Sequence, residues 1–251
     1  MSASIRQWPR QVMDVLLPSN CAVCDRLVEQ PVADLPATLC GDCGDELMSP
    51  IVVACLQCGA PLGPHATSAN KCPHCRGRKF RFRSVTCLGM YQGALKKLLV
   101  SGKWASSSAN VRSLAVALAV ARADALANIA ADRVIAIPQH WSRRLVRNFN
   151  AAALVATEIA STLKCGSDSG ILIRSRKTQA QKRASLSERT AIQQGSFTIR
   201  NAHLIQGERI LLVDDVLTTG ATCSEATRML RHAGAKECHV AVLARVSATA
   251  G

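Results

Sequence analysis

At 251 residues the chain has room for one α/β domain of moderate size and a small appendage. Its residues are 48% hydrophobic but only 3% aromatic, so the core must be aliphatic and alanine-rich, and a formal net charge of +14 points to a polyanionic partner. The longest apolar segment, residues 113–137, is broken by Arg122, Asp124, Asp132 and Arg133 and is excluded as a bilayer span; Met1 to Leu17 lacks the apolar run of a secretory signal. A soluble cytoplasmic protein with reduced cysteines and no membrane insertion is the expectation.

Ile5 to Leu17 reads as a short amphipathic helix ended by Pro18. Cysteine then dominates. Eight of the twelve cysteines form four C-x-x-C pairs: Cys21/Cys24, Cys40/Cys43, Cys55/Cys58 and Cys72/Cys75. Two intervening residues let both sulfurs reach one metal from a tight turn, and two such turns give a tetrahedral thiolate set. Two structural zinc sites are therefore expected. Sequential pairing and an interleaved cross-brace use the same eight residues. Gly44, Gly59 and Gly77 follow three of the pairs, where a knuckle favours positive φ.

Lys71 to Arg83 holds six basic residues with Phe80 and Phe82 among them. That composition reads either as a surface for single-stranded nucleic acid or as a solvated linker. The first domain is placed at residues 1–83 and the second at 84–251.

In the second domain, Val85 to Met90 reads as a strand, Gly93 to Leu99 as a helix and Asn110 to Ala127 as one long alanine-rich helix. Arg133 to Pro138 is a buried strand, and a loop with Arg143, Arg144 and Arg147 separates it from a helix over about 150–163. Guanidinium groups there form an anion site suited to pyrophosphate. Gly170 to Ile173 is a further strand. The polar segment after it carries Arg174, Gln179 and Arg189 and suits a lid that excludes water and brings cations to a departing anion. Ser196 to Ile199 and Val240 to Val246 complete the predicted strands. Residues 133–200 carry 12 Lys and Arg against 3 Asp and Glu, whereas residues 201–251 are balanced at 5 against 5. The surplus lies just upstream of the stretch that organises the chain.

That stretch is Ile210 to Thr222, I-L-L-V-D-D-V-L-T-T-G-A-T. Four apolar residues form a strand, the acids Asp214 and Asp215 arrive where it emerges, and Thr218 to Thr222 turns into a helix closed by Gly234. Amides at a helix N-terminus, with threonine hydroxyls, cradle a phosphate. Carboxylates repel phosphate, but beside it they accept hydrogen bonds from a ribose diol.

Val213 to Thr222 resembles the phosphoribosyl-pyrophosphate (PRPP) signature of type I phosphoribosyltransferases. With the four cysteine pairs, nearly the whole chain resembles the ComF family, a double zinc ribbon fused to such a domain. The resemblance implies a mainly parallel sheet flanked by helices with a small N-terminal zinc-ribbon domain. It implies PRPP held with Mg²⁺: Val213, Asp214 and Asp215 at the ribose and Thr218, Thr219, Gly220, Ala221 and Thr222 at its 5′-phosphate. Arg143, Arg144, Arg147 and Lys103 serve the rest, with Arg174 and Arg189 on the flap. The family's pyrophosphate loop ends in Arg-Gly-Phe-Asn; Arg147, Phe149 and Asn150 fit, and Asn148 replaces the glycine. Asparagine tolerates positive φ better than most residues. Activity is then transfer of phosphoribose to an acceptor base; association with DNA uptake implies instead an adaptor for single-stranded DNA and a competence helicase. A PRPP-sensing regulator is a third reading.

Overall fold

The apolar run expected at residues 210–213 becomes the centre of a five-stranded sheet in a computed structural model of the chain, which describes residues 20–28, 39–49, 54–62, 72–75, 78–101, 108–139, 149–174 and 195–246. Its strands are β1 (Val85–Met90), β2 (Arg133–Ala136), β3 (Gly166–Asp168), β6 (Arg209–Leu217) and β7 (Glu237–Arg245), in the order β1-β7-β6-β2-β3 with every pairing parallel. A separate antiparallel pair joins β4 (Leu172–Arg174) and β5 (Phe197–Ile199). The helices are α1 (Gly41–Met48), α2 (Gly93–Ser101), α3 (Ser108–Ala121), α4 (Ala123–Ala127), α5 (Ala151–Leu163) and α6 (Ala221–His232). No described helix is long and apolar enough to cross a membrane.

Covered on both faces, the central strands read as unbroken apolar runs rather than alternating ones. Leu211, Val213, Ala241 and Leu243 belong to one core with α2, α3 and α5; Ile210, Leu212, Val240 and Val242 belong to another with α6 and the β4–β5 pair. Alanines such as Ala115, Ala152 and Ala156 are buried where α3 and α5 meet the sheet, which is how a chain poor in aromatics fills its interior.

Several expected boundaries shift for identifiable reasons. Residues 110–127 form two helices, because Arg122 leaves the helical path and donates to the carbonyls of Cys87 (3.0 Å) and Leu88 (2.8 Å). β3 has the sequence Gly-Ser-Asp and no apolar signature; pairing with β2 alone makes it a strand. β6 runs four residues past the apolar stretch. Its last partner on the β2 side is Ala136↔Val213, but β7 continues beside it through Leu217↔Arg245. Asp214 and Asp215 thus lie within the strand, past the end of one neighbour.

The cysteine pairs combine sequentially. Cys21, Cys24, Cys40 and Cys43 form one cluster, and Cys55, Cys58, Cys72 and Cys75 form the other. Each ribbon is opened by a short bridge, Asn20↔Leu27 or Ala54↔Pro61. Of the three glycines expected at positive φ, Gly59 is there (φ +69) while Gly44 lies inside α1 and Gly77 is outside the described residues; in the first knuckle Asp25 (φ +62) takes that conformation. The amphipathic helix expected at 5–17 also lies outside the described residues.

Candidate functional site

Sheet topology singles out one crevice. β2 continues through α5 to β3 on its outer side, whereas β6 continues through α6 to β7 on the other, so the connections diverge between β2 and β6. Ligands of open α/β sheets bind at the carboxyl ends of strands at such a divergence. Here that end carries Asp214, Asp215 and the turn into α6.

The turn is built for close approach. Gly220, at φ +78, caps α6 from the left-handed region, and its carbonyl accepts the Ser224 amide at 2.8 Å. Thr219 Oγ1 accepts the Ala221 amide at 3.3 Å. First-turn amides lack intrahelical acceptors, and the helix dipole makes this end attractive to anions. A small cleft, partly open to solvent, is lined by Asp214, Val216, Leu217, Thr218, Gly220, Ala221, Thr222 and Cys223. Asp214 therefore shares one cleft with the helix N-terminus. Val213 is buried in β6, and Asp215 and Thr219 are half-buried without lining the cleft.

Along β6 the pleat slips at the acids. Leu211 and Val213 face the first core and Ile210 and Leu212 the second, yet Val216 returns to the first and Leu217 to the second. Strict alternation would send both the other way. The two acids occupy this step. The Asp215 amide donates to Asp214 Oδ1 and the Val216 amide to Asp215 Oδ1, each at 2.9 Å. Burial pushes the Cys223 thiol well above its ordinary value, and both carboxylates add to that, which places them within electrostatic reach of the first turn of α6.

Of the other expected residues, Arg174 ends β4 with its guanidinium over the Phe197 ring at 5.4 Å. Lys103, Arg143, Arg144, Arg147, Gln179 and Arg189 lie outside the described residues. Asn150 caps α5 by accepting the Ala152 amide at 3.1 Å, and Phe149 packs against the first core. The reading of Phe80 and Phe82 as an open stacking surface does not hold: Phe82 is 2% exposed, Phe80 is half-buried, and the rings stack on each other at 5.0 Å. Three residues escaped the sequence reading. Glu225, buried in α6, accepts the Gly195 amide (2.8 Å) and pairs with Arg228 (2.8 Å), tying down the chain entering β5. Arg245 is buried at the end of β7, where desolvation lowers its pKa. A lone arginine closing an apolar strand was the available signal.

Both cysteine clusters fit zinc. Within each, the sulfurs lie within 4.8 Å of one another, and closest approaches are 3.7 Å (Cys24–Cys40), 3.7 Å (Cys55–Cys75) and 3.8 Å (Cys58–Cys72). A tetrahedron with zinc–sulfur bonds near 2.3 Å has edges of about 3.8 Å. At the first cluster Arg26 donates to Cys24 (3.4 Å) and Cys40 (3.8 Å), and its guanidinium draws the Cys24 thiol down to about 6. The Cys24 thiolate is thus favoured without a metal, whereas burial raises the thiols of Cys43, Cys58 and Cys75, which a bound cation would have to offset.

Comparison with known proteins adds two matches within the chain: a double zinc ribbon domain over residues 12–79 and a phosphoribosyl transferase domain over residues 150–251. "Competence protein F" of Haemophilus influenzae is 27% identical, aligning over 82% of this chain and 90% of its own length. "DNA utilization protein YhgH" of Salmonella typhi is 28% identical over 90% of this chain and 89% of its own. "Adenine phosphoribosyltransferase" of Streptomyces galbus is 42% identical over a shorter stretch, 24% of this chain and 34% of that protein.

Proposed function

Because the chain belongs to the ComF family, a double zinc ribbon joined to a phosphoribosyltransferase domain, we propose that it binds PRPP with Mg²⁺ and transfers phosphoribose to an acceptor, releasing pyrophosphate, in a process of DNA uptake or use. The observation that carries this reading is the cleft shared by Asp214 and the first turn of α6. Thr218 to Thr222 hold the 5′-phosphate on backbone amides and hydroxyls. Asp214 and Asp215 accept hydrogen bonds from the ribose hydroxyls, and Mg²⁺ when bound offsets the charge of the pyrophosphate. The bond from the ribose C1 to pyrophosphate breaks as the bond to the acceptor forms. Arg143, Arg144, Arg147 and Lys103 stabilise the negative charge on the leaving group, the principal electrostatic route to rate enhancement. Arg174 and Arg189 belong to the flap that keeps water from C1. The ribbons, residues 1–83, form one domain and residues 84–251 the catalytic one.

Calorimetric titration with Mg·PRPP tests the reading. Wild-type protein binds, and Asp214→Ala with Asp215→Ala abolishes binding without lowering the melting temperature by more than a few degrees. Undiminished affinity in the double variant rejects the assignment.

The names of the full-length relatives, with the basic surplus of residues 133–200, favour a second reading: a non-catalytic adaptor for single-stranded DNA and a helicase that retains the PRPP fold. Salt-sensitive binding of single-stranded DNA that PRPP does not displace, with no pyrophosphate released from any nucleobase, selects it.

A further inference from the structure

The second cysteine cluster and the turn into α6 are joined by two side chains. Arg245 is 1% exposed. Its Nε donates to the Cys58 carbonyl at 2.9 Å, and one terminal nitrogen donates to the carbonyls of Leu217 (3.2 Å), Thr218 (2.6 Å) and Val246. One rigid guanidinium plane therefore fixes a metal knuckle relative to the first residues of the turn. Among the described residues it pairs with no carboxylate. A buried guanidinium needs compensating negative charge, and four thiolates around a divalent ion leave a net charge of about −2 beside it.

Phe80 makes the second joint. It packs on the cluster formed by Cys55, Cys58 and Cys72, stacks on Phe82, and lies so close to Gly220 that a Cβ there would be 2.8 Å from its ring. The same ribbon is laced to the edge of the sheet: the Val85 amide donates to the Leu56 carbonyl (2.7 Å), and the Cys87 thiol to that of Gly59 (3.3 Å).

We infer that the second metal site supports the phosphate cleft from behind its lining: metal held by Cys55, Cys58, Cys72 and Cys75 fixes the Cys58 carbonyl, Arg245 relays that position to Leu217 and Thr218, and Phe80 seats Gly220. Metal at this site sets the order of the turn; metal at the first site does not. The functional consequence rests on the proposed reading of Thr218–Thr222 as the phosphate loop, whereas the mechanical coupling can be measured without it.

The test uses full-length, zinc-loaded protein and hydrogen–deuterium exchange of peptides covering the turn, with α5 as internal control and zinc counted by elemental analysis. Cys75→Ser, which loses the second zinc, raises exchange in the turn at least about tenfold and weakens Mg·PRPP binding by a similar factor, while Cys24→Ser, which loses the first, changes neither. Arg245→Lys keeps both zinc ions and one positive charge but loses the fork, and its turn exchanges as fast as in Cys75→Ser. Equal turn exchange in the two cysteine variants overturns the inference, as does a native turn in an Arg245→Lys protein holding both ions. Should Cys75→Ser fail to fold, Arg245→Lys decides alone. If turn exchange follows the second zinc but no form, wild type included, binds Mg·PRPP, the coupling stands and the phosphate reading fails.

Discussion

The two ribbons share a ligand set and a spacing rule, yet they are built into the molecule differently. The first packs on helices. Leu39, Leu47, Cys21 and Cys43 enter the same core as Leu95, Leu98 and Leu114, and Glu46 of α1 reaches across to accept the Ala94 amide at 3.0 Å, at the start of α2. The second packs on backbone: its knuckle carbonyls receive Val85, Cys87 and Arg245, and its exit aromatic rests on Gly220. A ribbon joined through side-chain packing contributes stability at a distance from the cleft. One joined through the backbone of β1, β7 and the turn also sets the shape of the cleft.

That contrast can be broken by substitution. The largest effect is expected in the first ribbon's core, where Leu39 is fully buried and Leu39→Ala costs about 2–5 kcal/mol in chemical denaturation. In the second ribbon Leu56, on the knuckle between Cys55 and Cys58, is 69% exposed, and Leu56→Ala shifts stability by no more than about 0.5 kcal/mol. Equal costs would mean that the second ribbon also relies on apolar burial.

Each joint also has a glycine at positive φ, Gly93 (φ +52) against Glu46 and Gly220 (φ +78) against Phe80. Gly93→Ala and Gly220→Ala each cost about 1–3 kcal/mol from backbone strain, to which the crowded side chain adds. Only Gly220→Ala also weakens Mg·PRPP binding, so pairing melting curves with titrations separates the joints. Loss of binding in both variants would erase the asymmetry. A smaller cost than either glycine's upper range belongs to Glu46→Ala, which removes a carboxylate from the N-terminus of α2 and costs about 1 kcal/mol, with no change in ligand affinity.

What the sequence made legible follows from which interactions are local. The C-x-x-C spacing specifies a knuckle whatever surrounds it, so both metal sites could be read; which pairs share a metal is a tertiary fact and could not. Ala221 to His232 was legible because its apolar positions recur with the helical period. The extension of β6 through Leu217 was not, since V-D-D-V-L becomes strand only because β7 continues alongside it. Phe80 and Phe82 are a related case: alternating basic and aromatic residues fit either an open nucleic-acid surface or a solvated linker, while the rings turn inward onto the ribbon and the turn. Arg245 was overlooked because its partners are carbonyls scattered along the chain, and backbone acceptors leave no trace in sequence.

The account turns on whether the end of β6 and the first turn of α6 bind a phosphorylated ribose. The most direct measurement is a nitrogen-resolved NMR titration of the zinc-loaded protein with Mg·PRPP. The account predicts saturable shifts confined mainly to the amides of Asp214, Asp215 and Thr218 to Thr222, absent with Mg²⁺ alone. Unmoved turn amides at saturating ligand, or shifts centred elsewhere on the sheet, would contradict it.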